Sequence, residues 1–176
     1  MRLKITFFLS LFLTALTLGA ALAHLFELPN KMALTRDEYL TVQQIYSGWA
    51  LLGIVVIGAL IAILVLAFMV RRIPKVRSLV QIAFACLIGA QIVFWTFTYP
   101  TNQVTGNWTF LPDNWMQLRR QWEYSHAGGA ILDLIAMIML ILSLLVRREP
   151  LEERIPDVAP PASSATEVRP LHPPAR

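Results

Sequence analysis

Residues 53–70 read GIVVIGALIAILVLAFMV, a run of 18 positions without one polar side chain. A stretch of that length and apolarity matches a helix crossing a bilayer core, which takes roughly 20 residues. Three further apolar runs lie around it. Together they predict spans at about 5–26, 48–70, 79–96 and 127–146 in a chain of 176 residues that is 56% hydrophobic, with mean hydropathy +0.58. The expected fold is all-α: an integral membrane four-helix bundle over residues 1–148. A Pro-rich cytoplasmic tail, 149–176, is expected to be disordered, because it carries seven of the eleven prolines. The one cysteine, Cys86, falls in the third span, so no intrachain disulfide can form.

Four spans place both termini on one side. That side, counted as the N-terminus, the 71–78 connection and the tail, holds 11 Lys and Arg, against 4 in the other two connections, Lys31, Arg36, Arg119 and Arg120. The excess of positive charge marks the cytoplasmic face. The net charge of +4 is thereby a matter of topology and of contact with membrane lipid, and it calls for no nucleic-acid partner. The first span has two readings. Met1 to Lys4 followed by Ala21-Leu22-Ala23 has the form of a cleavable signal peptide. Ser10, Thr17 and His24, however, recur every seven residues, a stripe suited to packing inside a bundle, and retention of the span is expected.

Two helices are expected to project beyond the outer face. Thr35 and Glu38 have the spacing of a capping box, and a helix from Thr35 to Arg72 would run roughly 55 Å. In the fourth, Pro112 and Asp113 give a start signal, helical character continues to Arg148, and Gly128-Gly129 offers a kink or a close helix contact. Leu28-Pro29-Asn30 and Pro100-Thr101-Asn102 read as the ends of the first and third spans. Tyr46-Ser47 and Tyr124-Ser125 read as the openings of the second and fourth. These paired matches suggest a duplicated hairpin. Trp95, Tyr99, Trp108, Phe110, Trp115, Trp122 and Tyr124 crowd the predicted outer interface, and most of them read as an aromatic belt.

Polar side chains are distributed unevenly. Most of those in and beside the spans cluster toward the predicted outer ends, and 53–70 and 134–146 hold only Ser143. Polar groups are costly in lipid and mark function, so the outer half is the candidate site. On the fourth helix Trp115, Arg119, Trp122, His126, Gly129 and Asp133 follow the 4-3-4-3-4 spacing of one helical face. Glu123 lies beside that face. The third helix adds Gln91 and Asn102, the second Gln44, Ser47, Tyr39 and Tyr46, and the first His24 and Glu27. His24 and His126 can move protons near neutrality or bind a metal. Arg119 and Asn102 can hold an oxyanion. The candidate catalytic set is therefore His126, His24, Arg119 and Asn102, with Trp122, Glu27, Gln91, Glu123 and Asp133 lining a substrate site. Each group alone also suits a hydrogen-bonded plug that fixes helix register.

No Cys-x-x-Cys-His, His-Glu-x-x-His, P-loop or Gly-x-Gly-x-x-Gly motif occurs. The run Phe97-Thr98-Tyr99-Pro100-Thr101-Asn102, then Asn107-Trp108-Thr109, then Trp115 to His126 resembles the anthrone-oxygenase-like family of small four-span membrane proteins. Ala23-His24-Leu25-Phe26-Glu27-Leu28-Pro29 fits the same pattern, and the resemblance covers about residues 5–148. It implies a bacterial inner-membrane location and a site at Asn102, Arg119, Trp122 and His126. It also implies oxidation of a polycyclic aromatic compound without a conventional redox cofactor.

Three functions fit the residues. One is an oxidoreductase or oxygenase acting on an apolar aromatic or quinol-like small molecule, with a histidine taking a phenolic proton. Another is a haem or metal protein ligated by His24 and His126. The third is a non-catalytic scaffold that binds lipid or a partner helix.

Overall fold

The computed structural model describes residues 1–152, with side chains through Arg147. The expected tail lies outside the described residues from position 153, and 149–152 continue the last helix. Among the described residues the fold is all-helical: α1 (Arg2–Ala33), α2 (Arg36–Gln43), α3 (Leu52–Met69), α4 (Pro74–Val93), α5 (Tyr99–Val104) and α6 (Trp115–Glu152). Four stretches, Arg2–Ala33, Trp49–Met69, Pro74–Val104 and Trp115–Arg147, are long and apolar enough to cross a membrane, which makes this an integral membrane protein. They close into a four-helix bundle in which α1 packs on α3 and α6, and α4 packs on the same two.

The bundle has two differently built halves. Toward the termini the core is mainly apolar, with Phe7, Ile63, Leu66, Val80, Leu87 and Leu140 all buried and, among the described residues, only the small hydroxyls of Ser10, Thr14 and Ser143 buried beside them. At the opposite end α2 and the loop after α5 cover the bundle. We call this the capped end. Its core is a second cluster of Tyr39, Trp108, Leu111, Leu118 and Trp122. Outward-facing positions stay apolar, as in Ile54 and Ile61, because lipid solvates them as well as a core would.

Several sequence expectations are corrected. The second helix is not continuous from Thr35 to Arg72. It ends at Tyr46, turns at Ser47 and Gly48, and restarts through Trp49–Leu51. Gly48 has φ +86°, a left-handed conformation that a helix interior cannot hold and that glycine adopts without cost. The first helix runs past Pro29 to Ala33; the proline forfeits the bond of its own missing N–H, and one further turn still forms after it. The third also outlasts its prediction. Residues Phe94–Thr98 form a π-turn in which the Tyr99 amide reaches back to the Phe94 carbonyl, and this wider turn carries the helix through Pro100 to Val104. Gly128-Gly129 leaves α6 α-helical. Trp108 and Trp122 are no belt anchors. They are 3% and 4% exposed, whereas Trp95, Phe110 and Tyr124 are exposed as a belt requires.

Candidate functional site

Antiparallel packing of α1 against α6 brings the two histidines together, their ring centroids 4.2 Å apart. His24 is buried on α1, and its ring is boxed in by aromatic neighbours: Tyr46 at 4.5 Å, Trp122 at 5.0 Å and Trp49 at 5.4 Å. His126 Nδ1 lies 2.8 Å from the Trp122 carbonyl oxygen, one turn back on α6. A carbonyl only accepts, so Nδ1 carries the hydrogen and Nε2 is left as the basic nitrogen of the neutral ring. The Nδ1 of His24 has no partner among the described residues.

Above the histidines lies a charged cluster centred on Lys31. Its side chain is only 3% exposed. Its ammonium lies 3.0 Å from Glu123 Oε2, which is fully buried, and 3.7 Å from Glu27 Oε2. It also donates to the Tyr46 hydroxyl at 3.0 Å and sits over the rings of Tyr46 and Trp122. The Tyr39 hydroxyl donates to Glu123 Oε1 at 2.9 Å, and the Tyr46 hydroxyl donates to Glu27. Burial first, then the adjoining carboxylate, pushes both tyrosine hydroxyls well above their usual range, so they remain protonated donors. A buried charge survives only when paired and hydrogen-bonded, and Lys31 and Glu123 meet both conditions.

The remaining predicted residues divide by role. Arg119 donates to the carbonyls of Leu34 (2.9 Å) and Lys31 (3.4 Å) at the end of α1, the second of which also accepts the Leu34 amide, and its guanidinium stacks on Trp115. Asn102 accepts the Trp122 indole N–H at 2.7 Å, which fixes the ring against the histidines. Both are therefore occupied in holding the fold. Trp122, Glu27 and Glu123 belong to the cluster itself. Gln91 is half-buried on α4, away from these contacts. Asp133 is 5% exposed, seven residues beyond His126 and so roughly 10 Å deeper along α6, with Oδ1 unpartnered among the described residues.

Trp108 enters the site through an unusual loop. Gly106, Asn107 and Trp108 are three consecutive left-handed residues, with φ of 55°, 56° and 61°. Thr105 secures the turn by accepting the Trp108 amide at 3.1 Å. The reversal packs Trp108 against Tyr39 and Trp122 and closes the roof. On the flank, the break at Gly48 leaves an open groove of about 720 Å³ lined by Gly19, Ala23, Ser47, Gly48, Trp49 and Leu52. The Trp49 indole lines this groove and also packs edge-on against His24.

Sequence reasoning missed Lys31, counting it as a loop charge. The signal was present, since 31 continues the seven-residue series 10, 17, 24. Placing the end of the helix at Pro29 hid it. The chain matches no protein-family model, no curated protein and no solved structure.

Proposed function

We propose that this protein is a membrane oxidoreductase of the anthrone-oxygenase-like kind, acting on a lipid-soluble phenolic or quinol-like aromatic compound. It sits in a bacterial inner membrane with both termini cytoplasmic and the capped end outside. The observation that carries this reading is His24: a buried imidazole with a free Nδ1, enclosed by aromatic rings and separated from an open apolar groove by one indole. An apolar aromatic compound reaches the groove from the lipid and displaces Trp49. A histidine then takes its phenolic proton, and the resulting electron-rich ring is oxidised by dioxygen, a CH2 becoming C=O with release of water. Arg119 and Asn102 were expected to steady the oxyanion. Because both are engaged in the fold, the Lys31 ammonium, 4.9 Å from the Trp122 ring centre, is the better placed cation.

The haem reading fares less well on geometry. Two imidazoles bound to opposite sides of one metal, at roughly 2.0–2.1 Å each, hold their ring centres roughly 6 Å apart. Here the separation is 4.2 Å. The hydrogen bonds that Arg119 Nη1 and Asn102 Oδ1 make within the fold favour a second reading, a structural polar plug with no turnover. One experiment separates the two. Purified protein is incubated with anthrone under air while oxygen uptake is followed, alongside the double variant His24→Ala, His126→Ala. Loss of turnover by about 100-fold or more, with helicity and melting retained, is the expected result. Unchanged turnover in a folded double variant, or none in the wild-type protein with any phenolic aromatic compound supplied, overturns the oxidoreductase reading. A Soret band in the purified protein would restore the haem reading.

A further inference from the structure

The side chains of the Lys31 cluster form a continuous polar chain, an ion pair from Glu123 to Lys31 and hydrogen bonds from Lys31 to Tyr46 and from Tyr46 to Glu27, with a gradient of exposure. Glu123 is fully buried, Lys31 3% exposed, Tyr46 half-buried, and the Glu27 side chain 40% exposed at the capped end. Tyr46 is the pivot. Its hydroxyl accepts from Lys31, donates to Glu27, and its ring packs on His24. We propose that Tyr46 and Glu27 are a proton-exchange relay between the buried histidine pair and the aqueous phase at the capped end, with Lys31 as the positioning residue that holds both.

The step involves protons only. The Tyr46 hydroxyl gives its proton to the Glu27 carboxylate, which passes it to bulk water. The Tyr46 oxygen takes a replacement on its second lone pair from whatever bridges to His24 Nδ1, a water or the hydroxyl of a phenol. No electron moves, and only O–H and N–H bonds change. Lys31 stays an ammonium throughout. Its hydrogen bond to the Tyr46 oxygen and its attraction to both carboxylates fix the hydroxyl between His24 and Glu27.

The charged and titratable groups facing Tyr46 come from three elements. From α1 they are His24, Glu27 and Lys31, from α6 Glu123 and His126, and from α2 Tyr39 through Glu123. Only Glu27 among them has a side chain substantially exposed at the molecular surface, at the capped end, so it is the mouth. This inference takes from the oxidoreductase reading the direction of net proton flow. The exchange pathway itself does not depend on it.

The test uses full-length protein carrying ¹⁵N-histidine, reconstituted in phosphatidylcholine nanodiscs, with the exchange of the His24 ring N–H with water measured by NMR. Glu27→Gln and Tyr46→Phe are expected to slow that exchange about tenfold or more, Glu27→Asp to leave it near the wild-type rate, and added acetate buffer to restore it in Glu27→Gln. Loosened packing would accelerate exchange, so slowing is a result that a merely structural role does not produce. Unchanged or faster exchange in both variants, with the amide spectrum intact, overturns the relay. Should Tyr46→Phe unfold, Glu27→Gln decides alone, at a partly solvent-exposed position. No substrate enters the measurement. A failed relay therefore leaves the oxidoreductase reading standing, and an inactive protein with an intact relay removes that reading alone.

Discussion

Removing the Lys31 ammonium would strand Glu123, whose side chain is wholly buried and has Tyr39 as its other partner. Breaking one side of a buried ion pair costs about 3–5 kcal/mol, because the remaining charge keeps its desolvation penalty. Lys31→Met should therefore lower the unfolding free energy in detergent by about that amount. Adding Glu123→Gln should return most of it. A double variant as unstable as the single one would mean that Lys31 contributes through packing on Tyr46 and Trp122, not through charge. Tyr39→Phe removes a hydrogen bond to the carboxylate and should cost about 1.5–3 kcal/mol in the same measurement.

At the scale of elements, the break between α2 and α3 depends on one residue. Gly48 lies at φ +86° with nothing within 4 Å of where a Cβ would stand, so Gly48→Ala pays only the backbone term. A left-handed conformation costs an L-residue about 1–2 kcal/mol, and that is the drop in stability expected in a melting experiment. Gly106→Ala should cost more, because its Cβ would also meet Thr109 Oγ1 at 2.9 Å. The cap of α2 adds a pH dependence. Glu38 accepts from the Thr35 backbone amide (2.9 Å) and hydroxyl (2.7 Å), and these bonds hold its carboxyl below the ordinary 4.5. The sign follows from linkage. A depressed carboxylate contributes stability that is complete above its unfolded value and is lost as pH falls through the folded one. Amide exchange in α2 should accelerate below pH 4.5 relative to a Thr35→Ala, Glu38→Ala control, whose exchange should show no such step. Parallel profiles for the two proteins would mean that the box is idle.

For the whole molecule, the charge asymmetry of 11 against 4 predicts which end faces out. With Cys86→Ala as background, Gln103→Cys and Lys75→Cys both place thiols at exposed positions, on opposite ends of the bundle. An impermeant maleimide added to intact cells should label Gln103→Cys alone. Labelling of Lys75→Cys alone would invert the topology and put the mouth of the relay in the cytoplasm.

Composition and periodicity by themselves determined the class, the four spans, the capping box and the end of the bundle where polar groups collect. Each of these follows from a local property: a run of apolar residues, a three-residue cap, or a repeat of seven. His24 and His126 were legible as a pair for the same reason, since depth along two antiparallel helices can be counted. What only the tertiary structure decided was which polar residues work together. Lys31 is a loop charge by sequence and a buried hub in the fold, because its partners Tyr46 and Glu123 lie 15 and 92 positions away. Arg119 and Asn102 look like oxyanion holders by type. They are committed instead to the α1 carbonyls and the Trp122 indole, groups whose need for a partner exists only once the helices are packed. The desolvation that turns a lysine into an obligate ion-pair partner is a property of burial, and burial is set by the whole bundle.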